Sequence, residues 1–136
     1  MSAFSNYLEN AVMNNLLGQA AIPAIPNLYF ALLTAGVDDA GAGGTEVGGA
    51  GYSRVNLANN TTNFPTISGT NGTKTNATAI AWPTAAASWG TVSHYAVYSS
   101  SSGGNLLFYG SLDSAKVIGT GDAFTVPAGS FTLSLN

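Results

Sequence analysis

The sequence predicts a mainly β protein: an antiparallel β-sandwich, jelly-roll-like in the broad sense, with one N-terminal α-helix. Three observations carry this. Seven or eight short apolar segments, several alternating with period two, are separated by glycine, proline or asparagine turn signals roughly every ten residues. Only the first segment repeats its apolar residues at helical spacing. The chain has 136 residues and no self-similar period, so residues 1–136 form a single domain and neither a solenoid nor a propeller is expected.

In chain order, Phe4, Leu8, Ala11, Val12 and Leu16 predict a helix over residues 3–17. Ser2 is placed to cap it, Glu9 falls early in it and Gly18 can close it. Asn6, Glu9, Asn10, Asn14 and Asn15 interrupt the apolar run, and no basic residues open it. That argues against a secretory signal or a membrane span. Pro23 and Pro26 end the helix and begin a tether. The sandwich is expected over residues 28–136. Its first strand, residues 28–34, is apolar throughout and reads as buried on both faces. Residues 35–51 hold seven of the 17 glycines together with Asp38, Asp39 and Glu46. This composition predicts a long surface loop, mobile unless a partner holds it.

Alternation resumes over residues 52–57, with Val55 and Leu57 inward. A second long loop, Thr/Asn/Gly-rich, is expected over residues 59–76, and residues 77–82 read as a strand stopped by Pro83. Residues 92–98 then alternate Val92, His94, Ala96 and Tyr98 against Ser93, Tyr95 and Val97. The connector Ser99-Ser100-Ser101-Ser102-Gly103-Gly104 supplies a hairpin turn, and residues 105–109 return. Both faces of this ribbon are apolar, so both must be covered, by the domain itself or by a neighbouring subunit. Short strands follow at residues 116–118, 123–127 and 130–135, the last with Phe131, Leu133 and Leu135 inward.

Charged residues make up 7% of the chain, against an ordinary share of about 25%, while hydrophobic residues reach 46%. A surface so poor in charge suits a subunit buried in an assembly better than a free monomer. The formal charge is −3, and Arg54, Lys74 and Lys116 are the only cations, so no basic patch exists for a phosphate backbone. Nucleic acid is not an expected partner. The absence of cysteine removes disulfides and thiolate metal sites.

No catalytic, metal or cofactor constellation emerges. His94 is the one histidine and sits in an apolar strand, where a hydrogen-bonded histidine near the core is the default reading. Asp38, Asp39 and Glu46 lack the spacing of a calcium loop. No Gly-x-Ser-x-Gly elbow occurs, and the glycine clusters at 41–44 and 48–51 are not followed by the lysine and helix of a phosphate loop. Asn59, Asn60, Asn71 and Asn76 begin Asn-x-Thr triplets, which a Thr/Asn-rich loop produces by composition. One polar pair stands apart: Glu46 and Arg54 flank a glycine turn with Tyr52 between them. A pair that pins the loop is the default, and a pair reaching to a partner subunit the alternative.

Several motifs together resemble a family of small tailed-bacteriophage virion structural proteins. They are Phe4-Ser5-Asn6-Tyr7 with Glu9-Asn10, the segment Leu28 to Thr34, Gly44-Thr45-Glu46-Val47-Gly48-Gly49 followed by Tyr52-Ser53-Arg54, Trp89 to His94, and Gly103 to Gly110. The resemblance implies a non-enzymatic virion protein without cofactors, either labelled tail fibre or acting as capsid cement. The cement reading expects a homo-oligomer, dimer or trimer, that decorates the capsid and stabilises the shell by binding the major capsid protein. A tail-fibre, baseplate or neck adaptor and a glycan-binding receptor tip using Trp82 and Trp89 are the alternatives. Phe4, Leu8, Val12, Glu46, Arg54, Tyr95, Tyr98, Phe108 and Tyr109 are the candidate interface residues, since aromatic anchors dominate contact energies.

Overall fold

The computed structural model describes residues 2–67 and 72–135. It is mainly β with one helix near the N-terminus. The order is β1 (Ser2–Phe4), α1 (Asn6–Leu16), β2 (Asn27–Ala35), β3 (Thr45–Glu46), β4 (Val55–Ala58), β5 (Thr73–Thr75), β6 (Ile80–Ala81), β7 (Gly90–Tyr98), β8 (Leu106–Ile118), β9 (Thr125–Val126) and β10 (Thr132–Ser134). A six-stranded sheet runs β1-β8-β7-β2-β3, with β4 also on β2, and every pairing is antiparallel. Over one face lie two separate two-stranded ribbons, β10-β5 and β6-β9. The two layers are therefore unequal.

The expected helix over residues 3–17 is shorter than predicted. Residues 2–4 pair with Gly110, Tyr109 and Phe108 as an edge strand, and Ser5, not Ser2, caps α1. Ser5 turns from strand to helix with extended backbone, φ −75° and ψ 160°. Its Oγ accepts from the Leu8 amide and donates to the Leu106 carbonyl, while its own amide donates to Leu107 O at 2.9 Å. Helical spacing alone could not show this, because the partner is over 100 residues away.

The long strand β2 supplies both faces, as its unbroken apolar run predicts. Phe30 and Leu32 enter the main core with Val97, Leu107, Trp82 and Trp89. Leu33 joins Ala96 and Leu106 in a second, smaller cluster on the opposite face, with Val37, Tyr98 and Tyr109 against it. Trp89 is held by its indole N–H donating to Ala50 O at 3.1 Å and by an edge contact with Tyr52. At Gly49 a Cβ would lie 2.4 Å from the Trp89 ring, so this close approach demands glycine. The Trp82 indole N–H is buried without an acceptor among the described residues.

Further boundaries move. Residues 116–118 are not a separate strand but the end of β8, whose pairing with β7 shifts between Val92/Lys116 and His94/Ser111. The surplus residues bulge out of the ladder. The predicted loop 35–51 contains β3, and Asp38 folds its first half by accepting from the Ala40 and Ala42 amides at 2.9 and 2.8 Å. The predicted loop 59–76 contains β5, while its residues 68–71 lie outside the described residues. Leu16 and Leu135, expected to face inward, are 68% and 61% exposed.

Candidate functional site

The polar pair singled out by the sequence is the centre of a clamp. Arg54 donates from Nε and Nη2 to the two oxygens of Glu46, at 2.9 and 2.8 Å. Its Nη1 donates to the carbonyls of Ser100 and Gly103 at 2.8 and 2.9 Å, and its guanidinium lies 3.9 Å from the centre of the Tyr98 ring. The planar fork of arginine suits this double engagement of carboxylate and carbonyls. Tyr52 donates to Glu46 Oε2 at 2.7 Å and accepts from the Leu32 amide at 3.1 Å. Arg54 thus ties β3 and the turn between β7 and β8 to the start of β4, and Tyr52 ties Glu46 to the central strand β2. The turn offers its carbonyls because Gly103 and Gly104 take positive φ, 61° and 78°.

Electrostatics follow from burial and pairing. Burial pushes the Glu46 carboxyl up, but the hydrogen bonds from Arg54 and Tyr52 outweigh it and hold the carboxyl below its ordinary value of 4.5. Burial pulls Arg54 down, and its bonds and charge pairing with Glu46 more than reverse this. Burial, reinforced by the bond to Glu46, drives the Tyr52 hydroxyl far above the usual phenol range. All three groups therefore keep their protonation state near neutrality, and the Arg54 side chain is only 7% exposed. The arrangement fastens loops together; it holds no proton-transfer group poised near neutral pH.

The structure sorts the remaining candidates. Phe4, Tyr95 and Phe108 pack against the main core, and Leu8 is buried in it. Phe4 and Phe108 meet edge to face, with ring centres 5.3 Å apart. Tyr98 and Tyr109 lie on the other face, half-buried over the smaller cluster. Val12 is partly exposed. The structure unites Glu46, Arg54 and Tyr98, but brings neither Phe4 nor Leu8 into that group. His94 is half-buried, its Nδ1 2.8 Å from Ser93 Oγ. Trp82 and Trp89 are buried, so neither offers an open ring to a sugar. Asn76 is likewise buried and bonded to the backbone of Thr78, Pro127 and Phe131. This removes it as a glycan acceptor, and Asn71 lies outside the described residues.

The sequence points to the N-terminal helix as a contact element through Phe4, Leu8 and Val12, but the apolar residues it exposes most are others. Met13 and Leu16 on α1 and Leu17 at its C-cap are 53%, 68% and 76% exposed, and Tyr7 and Ile22 are exposed as well. A signal was available. Met13 stands five residues from the buried Leu8, about 140° around the helix, and so cannot share its face. A second feature is a cleft of about 430 Å³ over the six-stranded sheet. Phe30, Leu32 and Tyr95 floor it, residues 111–114 with Lys116 form one wall, and residues 124–127 with Phe131 form the other. Among the described residues, no group of three or more metal-ligating side chains forms, and no helix is long and apolar enough to cross a membrane.

An unequal β-sandwich fastened by an internal ion pair, with apolar residues displayed on its helix, defines a small β-rich structural module. The model of a phage family, podophage GP4 fiber I protein gp80, matches residues 3–134, and the chain belongs to that family. It is thus a virion structural protein of a tailed-phage fibre family. No curated protein matches the sequence.

Proposed function

We propose that this chain is a non-enzymatic structural subunit at the phage tail, which docks on a neighbouring virion protein through the exposed apolar side of α1. The observation that carries this reading is the fibre-family match over residues 3–134, which favours the tail over the capsid surface. The surface supports it. The most elaborate polar cluster, around Arg54, is consumed within the chain, whereas Met13, Leu16 and Leu17 have no cover. Exposed apolar groups concentrated on one element are the usual mark of an interface. Assembly then stabilises both partners by mass action, with no chemical step.

Cryo-electron microscopy of the intact particle tests the placement. Density for this one-helix β module at the tail, with α1 against a neighbour, is the expected result. Density repeated over the capsid lattice would overturn the tail reading and restore the cement role, with the major capsid protein as partner.

A further inference from the structure

The N-terminal segment, β1 with α1, is docked on the fold by specific contacts. β1 adds to the edge of β8 in antiparallel register, Ser2 to Gly110, Ala3 to Tyr109 and Phe4 to Phe108. Ser5 Oγ donates to Leu106 O and its amide to Leu107 O, the Asn6 amide donates to Asp39 O at 2.9 Å, and Leu8 is buried in the main core. These partners lie in β8 and in the loop after β2, far from the segment in the chain.

The arm that joins this segment to β2 is the opposite. Residues 17–24 are exposed, and residues 21–24 make no hydrogen bond among the described residues. Pro23 and Pro26 confine the residues before them to extended geometry, which opposes a tight return. Where the arm leaves α1, Gln19 takes φ 58° and is the one non-glycine residue in the left-handed region among the described residues. A side chain is strained there, so the turn that seats α1 on its own body is itself strained. Leu16, Leu17 and Ile22 flank this turn and are 68%, 76% and 43% exposed.

We infer that neighbouring copies exchange this segment: β1 and α1 of one copy dock on β8 of a second, with residues 18–24 as the hinge. The receiving site is known, because each chain already fills it with the same residues, so exchange keeps every contact of the segment and changes only the arm. Opening the arm breaks the bonds that Gln19 and Ala20 make with Asn14 and Asn15, and it frees Gln19 from the left-handed region. Leu16, Leu17 and Ile22 of the two arms then meet between the copies and gain cover that the closed chain does not give. No charge falls between Leu17 and Asn27, so paired arms bring no like charges together. Docking within one chain competes with exchange, which therefore prevails where copies are held close together. The exchange deepens the structural-subunit reading, and rests on it, by naming a second copy as a neighbour of α1. Its test needs only the purified chain, so its failure is separable from a failure of the tail placement.

The chain contains no cysteine, so a cysteine pair placed across the β1–β8 register reports which chain supplies β1. The A3C/Y109C variant is unfolded, refolded at high protein concentration and oxidised. The expected result is a covalent dimer on a non-reducing gel, in a yield that A3C alone does not approach, with the wild-type chain refolded in the same way giving a dimer by light scattering. S2C/G110C, one step along the same register, repeats the readout with Tyr109 in place. Gln19→Gly removes the strain from the closed turn and should weaken dimerisation at least about fivefold. A wild-type chain that stays monomeric after refolding at high concentration would overturn the inference. So would the absence of an interchain disulfide in both double variants, or an equal yield of covalent dimer from A3C alone.

Discussion

The clamp around Arg54 and the stretch from Met13 to Ile22 invert the usual distribution of polar and apolar groups. In the clamp, charged side chains sit largely buried and spend their hydrogen bonds on one another and on the turn at Ser100 and Gly103. In α1 and the arm, large apolar side chains face outward. The contrast teaches what one ion pair does in a chain with so few charges: Glu46 and Arg54 are drawn inward to hold loops, while Glu9, Asp38, Asp39, Asp113, Lys116 and Asp122 stay exposed. The clamp should therefore be sensitive in the isolated chain, and the helix surface only in the assembled particle.

The largest expected effect comes from breaking the clamp. Arg54→Ala leaves Glu46 with only the Tyr52 hydroxyl as donor and deprives the Ser100 and Gly103 carbonyls of theirs, and should cost about 3 kcal/mol in chemical denaturation. A change below about 0.5 kcal/mol would show that the pair behaves as an ordinary surface ion pair. Ser5→Ala should come next, at about 1–2 kcal/mol, because it removes a helix cap and a buried hydrogen bond to Leu106 O together. Its loss would loosen the base of α1 without touching the clamp.

Acid sharpens the comparison further. The Glu46 carboxyl lies below 4.5 in the folded chain, so its contribution is complete above the ordinary glutamate range and is lost as pH falls through the lowered folded value. A thermal-stability profile should fall over that acidic window, and Glu46→Gln should flatten this part of it while lowering stability at pH 7. An identical profile in the variant would remove Glu46 as the cause. The smallest effect belongs to the exposed helix surface. Leu16→Asn with Leu17→Asn should change the stability of the free chain by no more than about 0.5 kcal/mol. The same double variant should fail to incorporate into particles, read by the protein content of purified virions. Normal incorporation would separate α1 from docking.

Much of this was legible in the chain. The unbroken apolar run of β2 predicts a strand covered on both faces, and it has one cluster on each. The alternation of residues 92–98 and the glycine pair after the serines locate β7 and its turn. The Glu46–Arg54 pair was visible from its spacing across a glycine turn. Its reach to Ser100 and Gly103 was not, because those carbonyls lie 46 and 49 residues away.

The sequence by itself determined the β class, the single helix, the scarcity of charge and the positions where glycine or proline must turn the chain. These depend on local backbone sterics and on periodicity, which act over a few residues. Tertiary structure alone decided that residues 2–4 leave the helix to pair with β8, that Leu16 faces out while Leu8 faces in, and that the second layer is two ribbons beside a cleft. Each outcome rests on which distant strand edge or core surface is near enough to compete for a hydrogen bond or an apolar side chain, and no local pattern encodes that proximity.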